Sequence, residues 1–231
     1  MQFDILTLFP EVIEQYCNYS ILKRALDKST VKINTVNPRV FTESKHNKVD
    51  DTPYGGGAGM VLMVQPYVCA YESITKKEKS CTLMMTPQGE PFNNEIAQQL
   101  SNYEQIIILC GHYEGYDERI REIIQPKEIS IGDFVLTGGE LPALCLVDCV
   151  SRKIKGVLGK IESAHEDSFE NGLLEYPQYT KPRSYRGYEV PEVLLNGNHE
   201  LINKYRHEQM LNRTKNKRPD LYEKYINKIT K

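Results

Sequence analysis

Two charged residues stand where proton and charge chemistry is possible. Asp167 lies in the run Glu166-Asp167-Ser168-Phe169, inside a long polar segment, and its carboxylate is a candidate general base. An ordinary helix cap, with Asp or Ser before Phe169, explains the same residues and is the simpler interpretation from sequence alone. Arg152 ends an apolar helical stretch, where a cation is favourable against the helix dipole whatever else it does.

A second group of polar side chains follows an apolar strand. The run is Cys110-Gly111-His112-Tyr113-Glu114-Gly115. His112 could act as a general base, although a histidine in a polar loop is more often a bystander. Glu114 could anchor an amine of a ligand or merely cap a turn. The residues alone leave both alternatives open.

The segment from Glu128 to Leu141 offers main-chain groups for binding. It reads Glu-Ile-Ser-Ile-Gly-Asp-Phe-Val-Leu-Thr-Gly-Gly-Glu-Leu, so glycines break two short apolar runs, and Pro142 then falls in the first turn of a helix. A strand that becomes a glycine-punctuated loop and then a helix exposes backbone N–H and C=O groups to a small ligand. Because the loop has few long polar side chains, the pattern predicts a nucleotide-like ligand that is recognised by main chain.

The common nucleotide-binding motifs do not fit the glycine-rich segments. Gly55–Gly59 is followed by Met60 where a phosphate-binding loop needs lysine, and the first strand–helix junction, Leu8-Phe9-Pro10-Glu11, lacks the glycines of a dinucleotide fingerprint. Any one of the glycine-rich segments could be a simple turn. Two of them follow neighbouring strands, however, and Thr86-Pro87-Gln88-Gly89 follows another, so together they favour one crevice lined by several loops.

The elements that must position these residues alternate between strands and helices. Strands are predicted over 3–8, 31–36, 82–86, 105–110 and 128–131. Helices are predicted over 10–16, 21–27, 66–74, 91–100, 117–124 and 141–152, with Pro10, Pro66 and Pro91 at three of their starts. This alternation predicts an α/β fold in which a mainly parallel sheet carries helices on both faces.

Composition indicates a cytoplasmic protein with one sizeable core. At 231 residues and 40% hydrophobic, the chain can bury such a core and a smaller second domain. The apolar runs are too short to cross a bilayer, and the early Asp4 without a basic segment argues against a signal peptide. Six cysteines without a Cys-x-x-Cys pair are typical of reduced core thiols, and no zinc signature is complete, so no metal site is predicted.

Charge is unevenly distributed along the chain. Residues 172–231 contain 12 Lys and Arg against 7 Asp and Glu, a net charge of +5, although the whole chain carries −2. They also hold seven of the fifteen tyrosines. Basic charge interleaved with aromatic rings suits a phosphate backbone with stackable bases, and it suits a solvated helical tail as well. Helices are predicted here over 199–211, capped by Asn198, and over 219–229.

Two connections are too long for the simple loops of a compact domain. They cover residues 42–60 and 156–182. Long loops without regular structure are usually functional or disordered. The composition turns basic at the second connection, so a domain boundary is predicted near 160–175.

Five motifs, taken in order, closely resemble the bacterial tRNA (guanine-N1)-methyltransferases of the SPOUT class. They are Phe3-Asp4-Ile5-Leu6-Thr7-Leu8-Phe9-Pro10-Glu11, Asp50-Asp51-Thr52-Pro53-Tyr54-Gly55-Gly56-Gly57, Cys110 to Gly115, Ser130 to Pro142 and Glu166 to Phe169. The resemblance covers nearly the whole chain. It implies a trefoil knot in the α/β domain, a rare exception to unknotted connections. It also implies three regions: a knotted catalytic domain that binds S-adenosyl-L-methionine (1–160), a linker with the catalytic Asp (161–175) and a small helical tRNA-binding domain (176–231).

The resemblance also implies the site. S-adenosyl-L-methionine would bind bent in the knot, and its contacts would be Thr86, Pro87, Gly111, Tyr113, Glu114, Ile131, Gly132, Asp133, Phe134, Val135, Leu136, Gly138, Gly139 and Pro142. Asp167 would be the general base, assisted by Arg152. The substrate would be the guanosine immediately 3′ of the anticodon in tRNA, and the enzyme a homodimer with an active site shared between subunits. A dependence on Mg²⁺ is not derivable from the sequence. Many members have arginine where this chain has His112, so a charge role is not carried over to that position.

The chemistry suits these residues. Guanine N1 carries a proton at neutral pH that must leave when N1 attacks the sulfonium methyl; Asp167 can accept it while Arg152 stabilises charge on O6. The sulfonium is a strong electrophile, so no metal is required to activate it, and the target base must be unpaired or flipped. Two alternatives are a related SPOUT enzyme that methylates another RNA position and a catalytically silent RNA-binding module. A nicotinamide oxidoreductase is poorly supported without the dinucleotide fingerprint.

Overall fold

The computed structural model describes residues 1–158 and 167–230, and the chain divides into two compact units, Met1–Gly159 and Lys160–Lys231. The strands of the first unit are β1 (Gln2–Leu6), β2 (Lys32–Val36), β3 (Asp50–Asp51), β4 (Val61–Leu62), β5 (Ser80–Pro91), β6 (Gln105–Leu109) and β7 (Lys127–Ser130). Five of them form one sheet in the order β2-β1-β6-β5-β7, and every neighbouring pair is parallel. The prediction of an α/β fold with a parallel sheet is confirmed.

Helices cover both faces of this sheet. They are α1 (Pro10–Cys17), α2 (Ser20–Asp27), α3 (Val64–Glu72), α4 (Asn94–Leu100), α5 (Glu118–Ile124) and α6 (Glu140–Lys153). Side chains alternate between faces along a strand. Phe3 and Ile106 therefore pack in one core cluster with residues of α1, α4 and α6, while Leu6 and Ile107 pack in another with residues of α3 and α5. All five residues of β6 are buried, which explains its continuous apolar sequence.

The predicted boundary between the strand over 82–86 and the helix over 91–100 is wrong. Pro91 does not begin a helix but ends β5, and α4 begins at Asn94 because the Asn93 side chain accepts a hydrogen bond from the N–H of Ile96. β5 also extends well beyond the predicted 82–86. Its pairing with β7 shifts register between Met85 and Glu90, so Thr86 to Gly89 form an irregular excursion from the ladder.

The first long connection contains regular structure that the sequence does not signal. Its residues Asp50–Asp51 form β3, which pairs with β4 in a short antiparallel hairpin. Pro38 to Phe41 form a 3-10 turn just before it, capped by the side chain of Asn37. The hairpin closes the base of the loop that carries Gly55–Gly59.

The described part of the second unit contains a short hairpin of β8 (Ser184–Tyr185) and β9 (Tyr188–Glu189), a 3-10 turn (Glu192–Leu194) and the α-helices α7 (His199–Lys217) and α8 (Pro219–Ile229). The Asn198 side chain accepts from the N–H groups of Glu200 and Leu201, so the predicted cap is confirmed. Helix α7 extends to Lys217, beyond the predicted end at residue 211. Among the described residues no helix is both long and apolar enough to cross a bilayer. The predicted domain limits remain predictions, and residues 161–166 of the predicted linker lie outside the described residues.

Candidate functional site

Two loops meet at the carboxyl ends of the parallel strands. The Gly139 N–H donates to the Gly111 carbonyl at 2.8 Å, and His112 and Gly138 form an isolated antiparallel bridge. The loop after β6 and the loop after β7 are thus joined by main chain, although β5 lies between those two strands in the sheet. The two loops therefore meet as the sequence predicts, but the strands that they follow are not neighbours, and a crevice that they would line together stays a prediction.

Glycine is required where the two loops touch. A Cβ on Gly139 would lie 2.7 Å from both Cys110 Cα and Gly111 N, and a Cβ on Gly138 would lie 2.6 Å from the His112 ring nitrogen Nε2. A side chain at Gly139 would push apart protein backbone. The two glycines therefore allow the loop after β7 to pack closely against the loop after β6.

A buried polar network lies beneath the joined loops. Glu140 is only 5% exposed and is the first residue of α6. Its Oε1 accepts a hydrogen bond from Thr7 Oγ1 at 2.6 Å, and its Oε2 lies 2.7 Å from His112 Nε2. The Thr7 hydroxyl also accepts from the Phe9 N–H. Sequence analysis missed both Thr7 and Glu140, and the available signal was an acidic residue at the start of an otherwise apolar helix.

The rim of the loop after β7 is apolar and exposed. Phe134, Val135 and Leu136 expose 52%, 82% and 39% of their surface, and Tyr113 on the neighbouring loop exposes 50%. Ile131 is half-buried and Asp133 exposed. Large apolar side chains beside polar backbone are the surface that a flat heterocycle with hydrogen-bonding edges requires.

The remaining predicted contacts lie around these loops. Thr86 is buried and Pro87 exposed, in the excursion of β5, whose place between β6 and β7 puts it between the two loops. Glu114 faces the glycine-rich segment: its N–H donates to the Met60 carbonyl, and its carboxyl packs against Gly59 so closely that a Cβ there would overlap it. The Glu114 side chain therefore supports the neighbouring loop. Pro142 is half-buried within the first turn of α6.

Burial keeps several groups below the loops uncharged. The Tyr67 hydroxyl donates to the Cys110 carbonyl at 2.9 Å, and burial raises the pKa of both Tyr67 and Cys110 well above their usual values. Burial likewise raises the pKa of Tyr116, whose hydroxyl has no hydrogen-bond partner among the described residues. Cys110 is therefore an unreactive core thiol.

Arg152 lies at the other end of α6, on an open groove of about 460 Å³. The groove is lined by Tyr16, Tyr19, Leu22, Asp148, Ser151 and Arg152, with Ile21 and Val157. The Tyr16 hydroxyl donates to Asp148 at 3.0 Å, and this hydrogen bond raises the pKa of Tyr16. At 1.5 Å per residue, α6 separates Arg152 from Gly139 by roughly 20 Å. The structure does not bring Arg152 to the joined loops of its own subunit.

Asp167 lies in a turn of the second unit. The Glu170 N–H donates to the Asp167 carbonyl, and the Phe169 N–H donates to the Leu173 carbonyl, with Phe169 in the left-handed region at φ +78°. The Ser168 hydroxyl accepts from the Glu175 N–H. This segment is a turn rather than the start of a helix, so the helix-cap interpretation of Asp167 is wrong.

The family is shown by comparison with known proteins. The sequence model of the tRNA (guanine-1)-methyltransferase TrmD family matches residues 1–224. The chain belongs to this family. A tRNA (guanine-N(1)-)-methyltransferase of Staphylococcus epidermidis is 56% identical over 225 residues, which cover 97% of this chain and 92% of the relative. One of Desulforamulus reducens is 55% identical over 224 residues, which cover 96% and 88%, and one of Staphylococcus aureus is 55% identical over 225 residues, which cover 97% and 92%.

Family membership confirms the resemblance that the five motifs indicate. It also confirms the predicted class of activity, an enzyme of the tRNA (guanine-N1)-methyltransferase family. The roles assigned to individual residues of this chain stay predictions.

Proposed function

We propose that this chain transfers the methyl group of S-adenosyl-L-methionine to N1 of the guanosine immediately 3′ of the anticodon in tRNA, in the cytoplasm. The observation that carries the proposal is the main-chain contact between the loop at Gly111 and the loop at Gly138–Gly139, at the carboxyl end of the sheet. The chain that forms this contact belongs to a methyltransferase family. When bound there, S-adenosyl-L-methionine supplies a methyl group on positively charged sulfur.

The loops fit such a donor. The backbone around Gly111 and from Ile131 to Gly138 offers polar groups for the edge of an adenine ring, and Tyr113, Phe134 and Leu136 offer exposed apolar surface for its faces. No described helix or strand covers residues 131–137, although Gly132 and Phe134 form local hydrogen bonds and Gly138 bridges to His112. These features support the cofactor contacts carried over from the family.

The methyl acceptor needs a base and a cation. We assign Asp167 to accept the N1 proton of guanine, so that the N1 lone pair forms the new bond to carbon while the sulfur keeps the electrons of the bond that breaks. We assign Arg152 to donate hydrogen bonds toward the guanine O6, where negative charge grows as the proton leaves. This assignment is supported by the position of Asp167 in a turn, where it is not the cap of a helix that follows it.

A homodimer with shared sites would bring the two halves of this chemistry together. Arg152 lies roughly 20 Å along α6 from Gly139, too far to serve the loops of its own subunit. Apolar and aromatic side chains are exposed on or next to α1 and α6, among polar ones: Val12, Tyr16, Tyr19 and Leu141 expose between 38% and 72% of their surface. A patch of this kind, on helices beside the groove, suits a two-fold contact that sets the groove of one subunit against the loops of the other.

A trefoil knot in the first unit completes the proposal. Its support is the path of the chain, which leaves β7 at the edge of the sheet, crosses the end of β5 to reach Gly111 beside β6, and then enters the core as α6. The second unit, with its net positive charge and tyrosines, would hold the tRNA mainly through phosphates.

The decisive test of the reaction is the identity of the product. Unmodified tRNA with G at the position 3′ of the anticodon is incubated with the protein and S-adenosyl-L-methionine, then digested to nucleosides and identified by mass. 1-Methylguanosine, absent when that position is changed to A, is the expected result. A methylated nucleoside from another position would favour a related SPOUT enzyme, and no methylation with retained tRNA binding would favour a silent RNA-binding module.

A further inference from the structure

One buried carboxylate connects three separate parts of the first unit. Glu140 begins α6 and is 5% exposed, and its two oxygens contact Thr7, at the end of β1, and His112, in the loop after β6. Thr7 is completely buried, and the His112 side chain is only 16% exposed. A buried carboxylate costs folding free energy unless its oxygens are hydrogen-bonded, and here both have a partner.

Three buried titratable groups lie close enough to Glu140 to feel its charge. They are Tyr67, Cys110 and Tyr116, and burial raises the pKa of each of them, so all three stay neutral. His112 is the basic side chain in contact with the carboxylate. Its ring also packs against the rings of Phe9, at 4.9 Å, and Tyr113, at 6.3 Å.

The network holds the same backbone that the donor would contact. His112 lies between Gly111 and Tyr113, and it forms a bridge with Gly138. Glu140 directly follows Gly139, whose N–H reaches the Gly111 carbonyl. Fixing His112 against Glu140 therefore fixes the spacing of the two loops, while the Thr7 bond anchors both to the end of β1.

We propose that Glu140 is a positioning residue for the methyl donor, acting through His112 and Thr7 and not by touching the reacting atoms. The inference rests on the proposed function, because it concerns how the same loops bind S-adenosyl-L-methionine. Losing one bond of the network would let the two loops move apart before the donor binds. Such a loss should weaken donor affinity, because the donor would have to restore the spacing of the loops when it binds. The rate of methyl transfer at saturating donor should stay close to wild type.

A threonine series tests this without deleting the charge. Thr7→Val removes the hydroxyl that donates to Glu140 and keeps the volume, whereas Thr7→Ser keeps the hydroxyl. Thr82→Val is the matched control, because the Thr82 hydroxyl pairs with the Tyr71 hydroxyl at 3.1 Å in the same sheet. Calorimetric affinity for S-adenosyl-L-methionine, single-turnover methylation at saturating donor and thermal unfolding are measured for all three and for wild type.

We expect Thr7→Val to weaken donor binding roughly tenfold, the scale of one net hydrogen bond, with the saturated rate within about twofold of wild type. Thr7→Ser should restore the affinity, and Thr82→Val should lose stability but not affinity. Wild-type affinity in Thr7→Val, or an equal loss in Thr82→Val, would overturn the positioning role. If wild type itself binds no S-adenosyl-L-methionine, the proposed function fails, and the inference fails with it.

Discussion

The two ends of α6 differ in almost every physical respect. At its start, Gly139 and Glu140 are buried and tied by hydrogen bonds to Gly111, His112 and Thr7. At its end, Arg152 is exposed on an open groove beside the 72% exposed ring of Tyr19. The first end forms its contacts within the first unit, and in the proposed function it meets the methyl donor. The second end is exposed, and in the proposed function it meets a second subunit or the tRNA.

The largest expected effect separates chemistry from donor binding. Asp167→Asn should reduce the single-turnover rate of methylation by roughly 100-fold or more, because the amide cannot take the N1 proton, while calorimetric affinity for S-adenosyl-L-methionine stays near wild type. Glu170→Gln, which neutralises a carboxylate of the same turn, is the matched control. Equal, small effects in the two variants would remove Asp167 from the chemistry.

The open end of α6 is tested by changing only the shape of its cation. Arg152→Lys should slow the single-turnover rate by about tenfold or more, since an ammonium cannot present the planar fork of a guanidinium to an oxygen. Donor affinity should change little, because Arg152 is assigned to the guanine O6 and not to the donor. A weaker donor affinity with an unchanged rate would show that Arg152 contributes to donor binding and not to the chemical step.

Complementation tests whether two subunits build one site. Asp167→Ala chains are refolded together with Leu136→Asp chains, whose charged side chain lies on the exposed rim where the donor would bind. In each heterodimer one site would carry both defects and the other neither, so roughly a quarter of wild-type activity should return at equal mixing. Native mass spectrometry confirms the heterodimers. No recovery in their presence would mean that each site belongs to a single subunit.

The smallest expected effect concerns the cap of α5, the helix that follows the loop after β6. Asp117 caps α5 and accepts two hydrogen bonds from the Arg119 side chain, which lower the pKa of the Asp117 carboxyl. Asp117→Ala should lower the free energy of unfolding by about 1 kcal/mol at neutral pH. Because the folded pKa is the lower one, the difference from wild type should shrink as the pH falls through it. A difference that is constant down to strongly acidic pH would show that the carboxylate charge is not involved.

The sequence predicts the parts of this molecule that are governed by local rules. The strands read as apolar runs and the helices start at recognisable prolines and caps, as at Pro10 and Asn198. Pro91 misleads because proline is also tolerated at the end of a strand, and the cap of Asn93 decides the helix start instead. The hairpin of β3 and β4 is missed because two-residue strands carry too little pattern.

The site divides in the same way. Glycine spacing indicates the loop at Gly138–Gly139, but nothing local shows that the partner of this loop is Gly111, since that contact depends on strand order. Thr7 and Glu140 lie 133 positions apart, and although an acidic residue at the start of an apolar helix is a signal, it does not point to Thr7. Only the fold shows that they touch, and that Arg152 does not lie with the loops.

Strand order has a consequence for synthesis on the ribosome. β1 is made first, but its inner neighbour in the sheet, β6, begins only at Gln105, and the edge strand β7 ends at Ser130. At translation rates of roughly 5–20 residues per second, the first strand waits about 5–20 s with β2 as the one available partner. The nascent chain therefore leaves one edge of β1, with its backbone N–H and C=O groups, unpaired for that time, and a chaperone that shields this edge would protect the growing polypeptide until β6 emerges.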